Sequence, residues 1–274
     1  MENRFAVLAL TVVMLHGLAA CGPEQATNEQ PPHYGLAAST EIIVTSEAGD
    51  RLADRDNVPF QDGRATGTVI EIDPVVVRQT LVGIGSSFTE SSAFVLAHLE
   101  PAARAEVMRN IYSEQGANFS LTRTTIGSTD FSVEGKYSYA PVADDGDLEH
   151  FSIEVDRDGF SRADYPGIRD ESFDLLPMIQ EALAIKRAQL DKDLRIVASA
   201  WTAPPWMKDI EDWYYRPPDE IGMEGTGGVL KEEYEQTYAD YIVRYLDAYA
   251  AEGVGIWGLT PVNEPHGNSG NWES

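Results

Sequence analysis

Near the C-terminal end of the chain a carboxamide and a carboxylate stand side by side in Thr260-Pro261-Val262-Asn263-Glu264-Pro265. A short apolar run precedes them, after Gly253 and Gly255, and has the composition of a buried strand. Pro265 has no N–H, so it ends a ladder and leaves Glu264 at the rim of a sheet rather than inside it. A carboxylic acid among apolar and aromatic neighbours can be held protonated and serve as a proton donor. Alone, Asn-Glu-Pro is also ordinary turn chemistry. Three further residues shift that balance. Arg123 lies near the end of a β-like run over 119–126, Asp130 follows it by seven residues, and Trp201 comes directly after a third run over 194–200, with Trp206 close behind. An Arg, an Asp, a Trp, an Asn and a Glu gathered on one rim describe a sugar site. Carboxylates and amides exchange hydrogen bonds with vicinal hydroxyls, and an indole face packs on the C–H face of a pyranose. Glu264 then acts as general acid on a glycosidic oxygen. Simpler readings stand beside this one. Arg123 and Asp130 could form a structural ion pair, and Trp201 could be core. Glu90 reads as a helix-start acid favoured by the dipole, and His266 as an incidental loop histidine.

These residues need elements that bring them together. The pattern predicts strands over 81–85, 119–126, 194–200 and 256–262. Between them it predicts helices from the cap Thr89 through 99, from Pro101 to about 112, over 173–190, and over 229–252. Tyr234, Tyr238, Tyr241 and Tyr245 recur at helical spacing in the last helix and read as packing, and Gly253 caps it. The segment 127–171 is rich in Asp, Gly, Ser and Tyr; it reads as a functional loop too polar for core. Strands alternating with helices imply a parallel sheet, and long loops gathered after the strands imply the active face of a (β/α)8 TIM barrel. A doubly wound sheet competes, but Gly83-Ile84-Gly85-Ser86-Ser87-Phe88 does not complete the phosphate-loop fingerprint. Upstream, short β-like runs over 42–45 and 68–72 are too few for a domain and need partner strands from elsewhere.

The 274 residues carry a formal net charge of -25, which disfavours nucleic acid and anionic membrane surfaces and favours a neutral or cationic substrate. With 43% hydrophobic residues, a sizeable core can form. Residues 1–20 hold Arg4 and an apolar run from Phe5 to Leu15, too short to span a bilayer and fitting a signal peptide. The run leads into Leu18-Ala19-Ala20-Cys21, which has the form of a bacterial lipobox with Cys21 as the lipidated residue. An ordinary secretory signal is the other reading. Cys21 is the single cysteine, so no disulfide framework, zinc-thiolate site or cysteine nucleophile is expected. Residues 21–40, with Pro23, Pro31 and Pro32, have the composition of a tether. The expected location is outside the cytoplasm, anchored to a bacterial membrane on its periplasmic side or at the cell surface.

Four stretches in order resemble glycoside hydrolase family 30, the group that includes the glucosylceramidases. They are 83–93, Thr122-Arg123 through Asp130-Phe131-Ser132, Ala198-Ser199-Ala200-Trp201-Thr202-Ala203-Pro204-Pro205-Trp206-Met207-Lys208, and Thr260 to Pro265. The resemblance spans roughly 79 to the end. It implies a TIM-barrel catalytic domain over 80–274, present as about four βα units, with 41–79 supplying strands to a side β-sandwich domain. It implies a retaining β-glycosidase working by double displacement, with Glu264 as acid/base and Asn263 on the 2-hydroxyl. Asp130 and Trp201 match binders of the reacting sugar, and Arg123 matches a rim arginine that orients the carboxylates. Carbohydrate or glycolipid is the implied partner, glucosylceramide or β-1,6-glucan the implied substrate, and no metal or organic cofactor is required. The family's nucleophilic glutamate stands at the seventh barrel strand, which has no counterpart here. The expectation from sequence is therefore an incomplete catalytic pair. A lipid-anchored protein that binds carbohydrate without cleaving it is the alternative, and a barrel glycosidase of another family a weaker one. A purified 1–274 product is expected to release no nitrophenol from an aryl β-glucoside; clear turnover with retained configuration would overturn that expectation.

Overall fold

A computed structural model of the chain describes residues 39–59, 66–70, 73, 75–189, 193–214 and 227–265. The signal-like segment, Cys21, nearly all of the tether and His266 lie outside the described residues. The chain divides into two compact units, Met1–Thr80 and Leu81–Ser274.

In the first unit, β1 (Ser39–Val44) pairs antiparallel with β2 (Ala53–Pro59). The turn between them is closed by Ser46 and Asp50, whose side chains bond at 2.7 Å. The run at 42–45 thus lies largely in a strand. The run at 68–72 does not: its described residues 68–70 are irregular, with Ile70 exposed. Its described β-branched residues, Thr68, Val69 and Ile70, find no ladder partner, whereas β2 forms from a charged sequence with no apolar alternation because its main chain pairs with β1.

The second unit holds a four-stranded parallel sheet of β3 (Gly85–Ser87), β4 (Leu121–Ile126), β5 (Arg195–Ala200) and β6 (Gly258–Thr260), side by side in chain order. Between them run α1 (Glu90–Ala97), α2 (Pro101–Tyr112), α3 (Leu175–Arg187) and α4 (Glu235–Ala251). This is the βα succession of a TIM barrel. A doubly wound sheet reverses its strand order at a switch point, and these four strands do not. Helix starts follow local chemistry. Thr89 Oγ1 accepts from the Ser92 amide at 3.0 Å to cap α1, Pro101 opens α2, and Asp174 accepts from the Leu175 amide at 2.6 Å to cap α3. Gly253, at φ +79°, takes the left-handed residue after α4.

Two expected boundaries move. The first barrel strand begins at Gly85 rather than 81, and Leu81 and Ile84 are exposed. Gly85 packs so closely on β4 that an added Cβ would lie 1.3 Å from the Leu121 carbonyl oxygen, so pairing starts where only glycine fits. The last strand is the short Gly258–Thr260, and Asn263 and Glu264 stand in the loop beyond it.

Segment 127–171 is not too polar for the core. Tyr139, Leu148, Phe160 and Ile168 are buried in it, and Tyr139 stacks on Tyr245 of α4 at 5.7 Å between centroids. The polar groups that disguise this segment are satisfied internally. Buried Asp156 accepts from the hydroxyls of Tyr137, Tyr139 and Tyr249. The segment closes where the amides of Arg169 and Asp170 donate to Ala97 O, and Arg104 of α2 grips Asp170 at 2.6 Å. Among the described residues no helix is long and apolar enough to cross a membrane.

Burial pushes the Asp174 carboxyl up to about 8 and the Asp156 carboxyl up to about 6. The fold therefore keeps protons that the unfolded chain has released above the ordinary carboxylate range, about 4. Stability then falls as pH rises from that range towards 8, by about 1.4 kcal/mol per pH unit for each retained proton. The melting temperature is expected to drop between about pH 5 and pH 8. Asp174→Asn keeps the cap acceptor and should flatten that drop; an equal slope in wild type and variant contradicts the assignment.

Candidate active site

Arg123 extends from β4 at the C-terminal side of the sheet. Its Nη2 donates to Ser199 Oγ of β5 and to Asn263 Oδ1 beyond β6, each at 2.7 Å. Its guanidinium carbon sits 4.5 Å from the centre of the Trp201 ring. Burial lowers the Arg123 pKa, and the nearby Glu264 carboxylate opposes that shift. One cation thus joins β4, β5 and the loop after β6. Ser199 in turn accepts from Thr260 Oγ1, so the contact chain crosses β4, β5 and β6.

The structure brings Arg123, Trp201, Asn263 and Glu264 together. Arg123 bonds to Ser199 and Asn263, and the described residues include no ion pair between it and Asp130, which removes the structural-pair alternative. Asp130 is exposed in a turn whose next residue, Phe131, meets the Trp201 ring edge-on at 5.7 Å. Trp201 is 8% exposed, gripped between Arg123 and Phe131. Glu264 is exposed and adopts φ +44°, a left-handed conformation that non-glycine residues rarely take. Tyr238 of α4 donates its hydroxyl to Pro261 O and fixes the start of that loop.

Several structural residues were not legible as such. Glu90 does start α1, but it is buried, and its carboxylate accepts from the amides of Val133 and Glu134 at 2.6 and 2.7 Å. It is a strut under the loop that carries Asp130 and Phe131. Burial raises its pKa against those hydrogen bonds. Lys208 is buried and donates to Thr202 Oγ1, Trp213 O and Gly227 O at 2.7 to 2.8 Å, closing the loop after β5 on itself. Burial lowers its pKa to about 8. Ser199 and Thr260 give a signal that period-two counting can find: they stand opposite each other in the ladder and share a face with Arg123 and Val197.

The loops after β4 and β5 enclose a cavity of about 550 Å³ lined by Lys136, Tyr137, Asp144, Trp206, Glu211 and Trp213. A second, of about 320 Å³, lies between the loops after β5 and β6 against Lys208, Tyr238 and Val262. Among the described residues no three His, Asp, Glu or Cys side chains converge as a metal site.

Residues 81–272 match the glycosyl hydrolase family 30 TIM-barrel domain. Putative glucosylceramidase 1 of Caenorhabditis elegans is 30% identical over 240 residues, 87% of this chain and 40% of that protein. An endo-1,6-beta-D-glucanase of Neurospora crassa is 29% identical over 268 residues, 94% of this chain and 46% of that protein. The chain therefore spans less than half the length of these relatives. Among solved structures, SrfJ from Salmonella typhimurium matches with a TM-score of 0.65 and 27% identity over 85% of this chain and 45% of that one.

Glu90→Ala removes the acceptor of two buried amides and is expected to cost about 2–4 kcal/mol. The urea midpoint should fall, and limited proteolysis should open the chain within 130–136. A variant as stable and protease-resistant as wild type contradicts the strut.

Proposed function

This chain belongs to glycosyl hydrolase family 30, and we propose that it carries the acid/base side of a retaining β-glycosidase site. One observation carries the reading: Arg123 holds Asn263 by its Oδ1 and lies on Trp201, with the Glu264 carboxylate close enough to act on its charge. With Oδ1 turned to Arg123, the Asn263 amide offers its NH2 group to a ligand, as a donor to the hydroxyl beside the reacting carbon. Trp201 and Asp130 bind the same sugar, one by its ring, the other through hydroxyls. Glu264 protonates the leaving oxygen and then takes a proton from the water that releases the sugar. The attacking carboxylate has to stand about 5 Å from Glu264 for a retaining reaction.

The substrate is a β-glucoside, of the glucosylceramide or β-1,6-glucan kind. The names of the two relatives support both, and the family match over 81–272 spans the residues given roles here. The lipobox at Cys21 supports export and a lipid anchor, with 21–40 as tether and 41–79 as part of a side β-domain.

Glu264→Gln tests the central assignment. Turnover of an aryl β-glucoside by the full-length protein should fall on the order of a hundredfold to ten-thousandfold, the usual share of a general acid. Glucose-analogue affinity by calorimetry should stay within about twofold, because the amide keeps the shape and removes only the transferable proton. Undiminished hydrolysis excludes Glu264 as acid/base. Sugar binding without any wild-type hydrolysis favours the non-catalytic alternative.

A further inference from the structure

The geometry points to Ser199 and Thr260 as positioning residues: a hydroxyl relay across β4, β5 and β6 that sets the rotation of Arg123 and, through it, the face that Asn263 presents to substrate. The inference rests on the glycosidase reading above. Ser199 is 0% exposed, and its oxygen accepts from Arg123 Nη2 at 2.7 Å and from Thr260 Oγ1. A hydroxyl oxygen has two acceptor sites, and both are filled. Arg123 Nη2 carries two hydrogens; one goes to Ser199 and the other to Asn263 Oδ1, also at 2.7 Å. The guanidinium cannot turn without breaking one of these bonds, and its carbon lies over the Trp201 ring, 4.5 Å from its centre.

The ladder explains why these residues meet. Ser199 stands opposite Thr260 in the β5–β6 register, while Arg123 stands opposite Val197, two residues earlier on the same face. Arg123 thus reaches one level up the sheet for its acceptor. Two hydroxyls at this level fill positions where a parallel strand would ordinarily carry apolar side chains. Without the Ser199 oxygen, one Nη2 hydrogen loses its acceptor, and the guanidinium turns away from Asn263 to satisfy it. The Asn263 amide is then free to flip and present its oxygen instead of its NH2 group. A contact that strengthens in the transition state is lost, so the effect falls on kcat rather than KM.

Three variants of the full-length chain test this: Ser199→Ala, Thr260→Val and the conservative Thr260→Ser. The first readout is the side-chain ¹⁵N spectrum of Arg123, which does not depend on turnover. Wild type and Thr260→Ser should show resolved, slowly exchanging Nη hydrogens, and the other two an averaged signal. The second is hydrolysis of an aryl β-glucoside. Ser199→Ala and Thr260→Val should lower kcat about tenfold with KM within about twofold, and Thr260→Ser should retain wild-type kcat; the loss is smaller than removal of a direct donor causes. The relay is overturned by an unchanged Arg123 spectrum in Ser199→Ala, or by a kcat that follows melting temperature alone and is not kept by Thr260→Ser. An inactive wild type that also carries the attacking carboxylate sinks the glycosidase reading instead, and the spectrum still decides the relay.

Discussion

The bond from Arg123 to Asn263 is the contact on which the site's geometry depends. The two residues are 140 positions apart in sequence, and no local preference brings them together. They meet because β4, β5 and β6 lie in register, so that side chains at matching positions on successive strands rise from one face of the sheet. An amide looks nearly the same from either side until a neighbour declares which end is which. Here a permanently charged donor makes that choice, and the choice needs no water or ligand.

Behind that contact, buried polar side chains secure the irregular segments that regular structure cannot hold. Glu90 binds two amides of the loop after β4, Lys208 binds two carbonyls and a hydroxyl of the loop after β5, and Asp156 gathers three tyrosine hydroxyls under the long segment. Each is a charged or titratable group almost withdrawn from water, a costly placement unless its hydrogen-bonding capacity is filled. The loops are thereby made specific: each strut accepts or donates to main-chain or hydroxyl atoms at fixed positions. The loop after β4 sets Phe131 edge-on against the Trp201 ring.

The barrel succession was legible because strands and helices alternate with their own periods, and Thr89, Pro101 and Gly253 sit at helix boundaries where local chemistry puts them. The members of the site were legible as residue types at strand ends. Two things were hidden. The core role of segment 127–171 is masked by its many Asp, Ser and Gly residues, since nothing in a linear pattern says that Tyr139 and Tyr249 will share one buried carboxylate. The strand β2 is masked for the opposite reason, because a charged, exposed segment pairs through its main chain alone. The Ser199–Thr260 level lay between these cases: its alternation is readable, but its meaning depends on which strands become neighbours.

The backbone at Glu264 has a consequence for any attempt to improve the molecule. A left-handed φ of +44° costs a glutamate energy that glycine or asparagine would largely escape. Selection for thermal robustness alone therefore pulls this position towards residues with no carboxylic acid to offer. Heat-screened libraries would enrich such replacements, and a hardy chain recovered that way would be one that had discarded the carboxylate beside Arg123.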